Sequence, residues 1–131
     1  MNLTQCLHRH ARISVKRIAT VFGDRRKTYP ELRDRVARLA AGLRSLGVAP
    51  VDRIGILMLN SDRYVEAIYA TFWAGGAVNP VNVRWSPDEI AYSLDDCETR
   101  VLVVDDAFLP MVPKLRERSK ALATLVYRPP R

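Results

Sequence analysis

The spacing of apolar residues changes several times along this chain, and each change predicts a new element. IATVF (18–22) reads as a strand, Gly23-Asp24 as a turn, and Lys27 to Tyr29 as a short returning strand, together a β-hairpin. The period then switches to that of a helix, with Leu32, Val36, Leu39, Leu43 and Leu46 on one face and Gly47 as the stop. Thr28 and Glu31 form a capping box at its start, with Pro30 in the first turn. RIGILML (53–59) is a near-continuous apolar run, the pattern of a parallel strand buried on both faces. Asn60 or Ser61 caps the next helix, where Tyr64, Ile68 and Phe72 share a face that Val65, Tyr69 and Trp73 broaden, and Gly75-Gly76 ends it. AVNPV (77–81) is a short strand interrupted by Pro80. Ser86, Pro87 and Glu89 open a further helix with a second capping box, and Ile90 and Leu94 face inward. VLVV (101–104) is a second buried strand. Residues 107–118 are helical chiefly after Pro113, and ATLVY (123–127) is a last strand. Strand and helix alternate, so the fold class is α/β, a mostly parallel sheet flanked by helices.

Composition narrows the function classes. At 131 residues the chain suits one domain, and its 48% hydrophobic content is that of a globular protein. Its longest apolar runs fall far short of the roughly 20 residues that span a bilayer. Cys6 and Cys97 lack metal-ligand spacing and suit a reducing, cytoplasmic setting better than a disulfide scaffold. The net charge of +7 is concentrated at the start: residues 1–28 hold seven Lys or Arg against one acid, and the rest holds 14 against 13. A basic arm for nucleic acid or anionic lipid and an Arg-rich transit peptide are both open on that count. The pattern favours an amphipathic surface helix with Leu3, Leu7, Ile13 and Val15 partly buried, and no motif supports specific nucleic-acid binding.

Candidate chemistry is sparse. No Gly-rich phosphate loop and no G-x-S-x-G elbow occurs. His8 and His10 are two residues apart, which does not place them on one helical face for a metal. VLVVDD (101–106) resembles the opening strand and acidic pair of phosphoacceptor receiver domains, but no aspartate follows Asp106 to accept a phosphoryl group. Asp105 and Asp106 therefore read as a turn or a helix cap, and Asp95-Asp96 as a solvated pair. Tyr64, Tyr69, Phe72 and Trp73 read as core rather than as a ligand box. Arg84 and Trp85 stand just before a helix start, where free N–H groups attract anions.

Four stretches together resemble the N-terminal part of the AMP-forming acyl-CoA synthetases, the adenylate-forming ligase superfamily: TYPELRDRVARLAAGLRSLGV (28–48), DRIGILMLNSDRYVEAIYATFWAGGAVNPVN (52–82), RWSPDEIAYSLDDC (84–97) and RVLVVDD (100–106). Fatty-acyl-CoA synthetases are the most similar branch. The resemblance implies that residues 1–131 are an incomplete N-terminal part of the ligase large domain, truncated before the phosphate-binding loop. It implies a carboxylate, on the most similar branch a fatty acid, that reacts with Mg2+-ATP to an acyl-adenylate and then with coenzyme A to a thioester. The family's catalytic motifs lie beyond this segment, so the chain alone is expected to be inactive and to hold no cofactor. A non-catalytic module that pairs with a partner chain, such as the remainder of the ligase, is the alternative. The resemblance places Arg84 near the coenzyme A phosphates, but Val83 and Trp85 stand where the family often has proline and leucine; Trp85 can stack on a base or simply pack, and Arg84 by itself also reads as a turn arginine. A sheet ending at residue 127 is expected to leave apolar surface open to self-association.

Overall fold

The computed structural model describes residues 2–129. Its elements run α1 Gln5–Ile13, β1 Ile18–Phe22, β2 Arg25–Thr28, α2 Tyr29–Ser45, β3 Arg53–Leu57, α3 Asp62–Trp73, β4 Ala77–Pro80, α4 Pro87–Asp96, β5 Val101–Val104, a 3-10 turn Asp106–Met111, α5 Val112–Arg118 and β6 Thr124–Tyr127. β1 and β2 pair as the expected hairpin around Gly23, whose φ of +56° the turn requires. The other four strands form one parallel sheet in the order β4-β3-β5-β6.

Alternation along the strands divides the core in two. Ile54, Ile56, Val101 and Val103 face α1, α2 and α3, where Leu7, Leu32, Val36 and Leu43 are buried. Leu57, Leu102 and Val104 face α4, the 3-10 turn and α5, where Ile90, Leu94, Phe108 and Leu115 are buried. Gly55 lies on this second face. A Cβ there would stand 2.8 Å from Leu102 Cδ1 and 3.1 Å from Leu94 Cδ2, so α4 reaches the sheet only because position 55 has no side chain. Pro80 closes β4, an edge strand, where a missing N–H is tolerated.

Both capping boxes form as the sequence predicts, Thr28 with Glu31 and Ser86 with Glu89, and Ser61 rather than Asn60 caps α3. Three expectations fail. Of the four apolar residues expected partly buried at the start of the chain, only Leu7 is; Leu3, Ile13 and Val15 are 56%, 64% and 53% exposed. The buried stripe of α1 is Leu7 and Ala11, one turn apart, while Leu3 precedes the helix and Val15 follows it. Asp95 and Asp96 are not a solvated pair. Asp96 is exposed, but Asp95 accepts hydrogen bonds from Ser119 Oγ at 2.6 Å, Ala121 N–H at 2.9 Å and Lys120 N–H at 3.2 Å, and so fixes the turn between α5 and β6. Burial alone would raise its pKa; the bonds from Ser119, Ala121 and Lys120 prevail and hold it below the usual 3.8.

The third concerns α3. Its aromatic face is only half buried, and the most enclosed positions are Asp62, Arg63, Glu66, Ala67, Ala70 and Thr71. The side chains of Asp62 and Glu66 are 1% and 0% exposed. Five cations surround them. Arg25 donates to Asp62 through Nε at 3.1 Å and Nη2 at 2.6 Å, and Lys27 reaches both carboxylates, bonding Asp62 and standing 3.5 Å from Glu66. Arg35 grips Glu66 through Nε at 2.6 Å and Nη2 at 3.1 Å, Arg63 Nη1 lies 3.2 Å from both its oxygens, and Arg128 Nη2 donates to it as well. Burial would raise the Asp62 pKa, but the hydrogen bonds from Arg25 and Lys27 outweigh it and leave the carboxyl below its ordinary value. The network joins the hairpin, α2, α3 and the segment after β6.

Two predictions follow from these contacts. Replacing Glu66 by Gln leaves Arg35, Arg63 and Arg128 facing a neutral group, and a loss of about 3–5 kcal/mol is expected in urea unfolding. A loss below about 1 kcal/mol would mean that the pair is effectively solvated. Asp95→Ala should cost about 1–2 kcal/mol at neutral pH. Because folding lowers the Asp95 pKa, its contribution is whole above the ordinary 3.8 and is lost as the pH falls through the folded value. The gap between parent and variant should therefore close below pH 3.8, as thermal melts across pH would show.

Candidate functional site

β3 leads through α3 to β4 on one side of it, and β4 returns through α4 to β5 on the other. The connection from β3 passes to α3 on one sheet face and that from β5 to the 3-10 turn and α5 on the opposite one, so the connections diverge between β3 and β5. Such a switch point opens a crevice at the carboxyl ends of the strands. A cavity of about 260 Å³ lies there, lined by Met58 to Ser61 after β3, Asp105 to Ala107 after β5, and Phe22, Arg25, Arg63 and Arg128.

The two loops are tied to each other. Asp105 accepts from Leu59 N–H at 2.8 Å and Ala107 N–H at 3.1 Å, and so caps the 3-10 turn as its position predicts. Asp106 accepts from the Tyr127 hydroxyl, which raises the tyrosine pKa. Arg128 N–H bonds Val104 carbonyl at 2.9 Å. Burial pulls the Arg128 guanidinium below its ordinary pKa, and the charge of Glu66 offsets this only in part. The hydrogen bond to Asp62 raises that of Arg25.

Arg84 and Trp85 sit in the turn between β4 and α4. Asn82 shapes that turn, accepting from Arg84 N–H at 3.0 Å on its side chain and from Trp85 N–H at 3.1 Å on its carbonyl. Both side chains are exposed, Trp85 to 38%, and Arg84 makes no side-chain bond among the described residues. Neither lines the switch-point cavity. The helix start beside them is largely satisfied from within. Ser86 Oγ accepts from Glu89 N–H, Glu89 accepts from Ser86 N–H, and Pro87 has no N–H to offer. The Ser86 N–H bond holds the Glu89 pKa low, and with Asp88 beside it the first turn carries two acids. Any anion recognition in this turn falls to the Arg84 side chain rather than to the helix end.

The histidines serve packing. The His8 ring lies 4.4 Å from Trp73 and the His10 ring 4.9 Å from Tyr29. Of the four aromatics read as core, Tyr64, Tyr69 and Trp73 are half-buried against it, and Phe72 is half-buried without joining it. No group of three His, Cys, Asp or Glu capable of holding a metal occurs among the described residues, and none of their helices is long and apolar enough to cross a membrane. The basic excess of the first 28 residues is partly internal, since Arg25 and Lys27 are spent on Asp62. Sequence reasoning missed Asp62, Arg63, Glu66 and Arg128. A readable signal was present in β2, where Arg25 and Lys27 share one face of the strand and call for acids opposite.

Comparison with known proteins agrees with this architecture. The chain is 41% identical over 101 residues to the long-chain-fatty-acid–CoA ligase of Thermus thermophilus, covering 77% of this chain and 19% of that ligase. It is 38% identical over 105 residues to the chloroplastic/peroxisomal 2-succinylbenzoate–CoA ligase of Arabidopsis thaliana, covering 80% of this chain and 19% of that ligase. It superposes on an anthranilate CoA ligase solved in complex with anthranoyl-AMP with a TM-score of 0.92 at 26% identity, covering 98% of this chain and 25% of that one. The chain thus spans about a fifth of the length of these two curated relatives. Residues 7–130 match the family model described as AMP-binding enzyme, and the chain belongs to that family of adenylate-forming ligases, of whose larger fold it holds one part.

Proposed function

We propose that this chain is the N-terminal scaffold of an ATP-dependent carboxylate–CoA ligase. The observation that carries the reading is the agreement of nearly the whole chain, in order and in space, with one part of CoA ligases. In such a ligase a carboxylate oxygen attacks the α-phosphorus of ATP and pyrophosphate leaves. The thiol of coenzyme A then attacks the acyl carbon, AMP leaves, and the thiol proton passes to solvent or to the released phosphate.

The described residues include no Gly-rich triphosphate loop and no cluster of Mg2+ ligands. Gly75, at φ +88°, ends α3 rather than cradling phosphate, and no metal-ligand group is present among them. We assign those functions to the rest of the ligase, and the 131-residue chain alone is expected to release no pyrophosphate from ATP. Arg84 fits coenzyme A chemically, as an exposed fork of donors suited to a phosphate, with Trp85 beside it as a surface for the base. The relatives are named for a long-chain fatty acid, 2-succinylbenzoate and anthranilate, acids of unlike shape. A fatty acid is the substrate that the similarity to the Thermus thermophilus ligase favours.

A chimera tests the reading. Residues 7–129 replace the matched segment of that ligase, and pyrophosphate release with a long-chain fatty acid is measured. Release dependent on the fatty acid is expected, whereas a chimera that melts cooperatively yet releases none would overturn the proposal. In the active chimera, Arg84→Ala should raise the KM for coenzyme A about tenfold, the scale of one charge-assisted bond, and leave adenylate formation unchanged. An unchanged KM would sink the coenzyme A contact.

A further inference from the structure

We infer that the crevice between the loops after β3 and β5 is a binding site for a small phosphate monoester, gripped by Arg25, Arg63 and Arg128. The site rests on its own geometry and does not depend on the ligase reading. Its three arginines come from β2, from α3 and from the segment after β6, and all three line the same cavity.

Charge is the first argument. Five cations surround the two carboxylates of Asp62 and Glu66, leaving three positive charges without a partner acid. The wall also contains Asp105 and Asp106, but these accept from Leu59 N–H, Ala107 N–H and the Tyr127 hydroxyl. Even with both aspartates counted, the wall stays positive by one. Arg63 and Lys27 are enclosed while Arg25, Arg35 and Arg128 reach solvent in part, so the surplus is only partly hydrated and favours a bound anion.

Unused donors are the second argument. Arg25 commits Nε and Nη2 to Asp62, Arg63 commits Nη1 to Glu66, and Arg128 commits Nη2 to Glu66. Each therefore keeps at least one guanidinium nitrogen without an acceptor among the described residues. Nε of Arg63 and Nε of Arg128 are buried and unpartnered, and the Arg63 side chain is only 8% exposed. Three guanidinium groups arriving from three elements match the three terminal oxygens of a phosphate monoester, whereas a carboxylate offers two.

The walls define the rest of the ligand. Phe22, Met58, Leu59 and Ala107 are apolar, and the Arg25 guanidinium lies 5.1 Å from the Phe22 ring centroid. A phosphate on a compact apolar or flat body fits this arrangement, and a volume of about 260 Å³ admits only a small one.

The test uses the 131-residue chain at low ionic strength, where screening is weak. Phenyl phosphate, inorganic phosphate and benzoate are titrated by calorimetry, with backbone amide shifts to locate binding. Phenyl phosphate should bind with shifts at residues 58–61 and 105–107, and benzoate should bind at least tenfold more weakly. Arg128→Gln and Arg25→Gln should each weaken phenyl phosphate about tenfold or more. Ala107→Leu, which leaves every charge in place, should block phenyl phosphate while inorganic phosphate still binds. Three results would overturn the proposal: no phenyl phosphate binding, benzoate binding equally tightly, or shifts confined to the turn at Arg84. A fourth would as well. If Arg128→Gln lowers the melting temperature but leaves phosphate affinity unchanged, the arginines are only a structural network.

Discussion

Two buried carboxylates one helical turn apart, Asp62 and Glu66, set the terms for the rest of this fold. Like charges at that spacing repel, and neither side chain reaches water. They are stable only because cations from β2, α2, α3 and the segment after β6 converge on them. The constraint acts in both directions. α3 must present its acidic face to the hairpin and α2, and those elements must approach closely enough to deliver guanidinium groups. Apolar packing would bring α2 against α3 through many similar arrangements, whereas bidentate contacts of Arg25 and Arg35 accept few.

Much of the fold was legible because its local signals agree with one another. At Thr28–Glu31 and Ser86–Glu89 the capping residue, the proline and the apolar period all mark the same helix start, and both boxes form. The runs at 54–57 and 101–104 hold no polar side chain because both sheet faces are covered, and they emerge as the two central strands. α3 was legible as a helix but not in its orientation. Counting apolar residues places Tyr64, Ile68 and Phe72 inward, yet the most enclosed positions include two acids whose burial depends on residues 31 to 62 places away in sequence. Hydrophobic periodicity has no means of registering a charge that is buried because its partner is. Asp95 failed for the same reason, since its three donors lie 24 to 26 residues downstream. Arg84 and Trp85 stand before the helix start that the sequence predicts, and little of that start is left for an anion. The capping box that identified the helix also consumes the N–H groups that an anion would need.

The parallel sheet makes the molecule one-sided. All four strands point the same way, so every loop that follows a strand lies at one end. The opposite end carries the glycine-dependent turns, where Gly76 stands so close to Asp52 carbonyl that a Cβ would be 3.0 Å from it. The strand-following loops are thereby separated from the tightest packing.

At the loop end the charge is also uneven. Arg25, Arg63 and Arg128 line the cavity and Arg84 projects from the turn after β4, while the nearby acids Asp62, Asp105 and Asp106 are engaged by internal donors. An acid that is fully hydrogen-bonded inside the fold still contributes its charge to the field, but it is not available to a ligand, and the unused guanidinium donors are. Field lines from buried cations are screened less by salt than those of surface lysines. A phosphorylated molecule approaching this end therefore meets attraction at long range and unoccupied donors at short range. Both are supplied by the scaffold itself, through strand order and the placement of four arginines, before any catalytic loop is added to it.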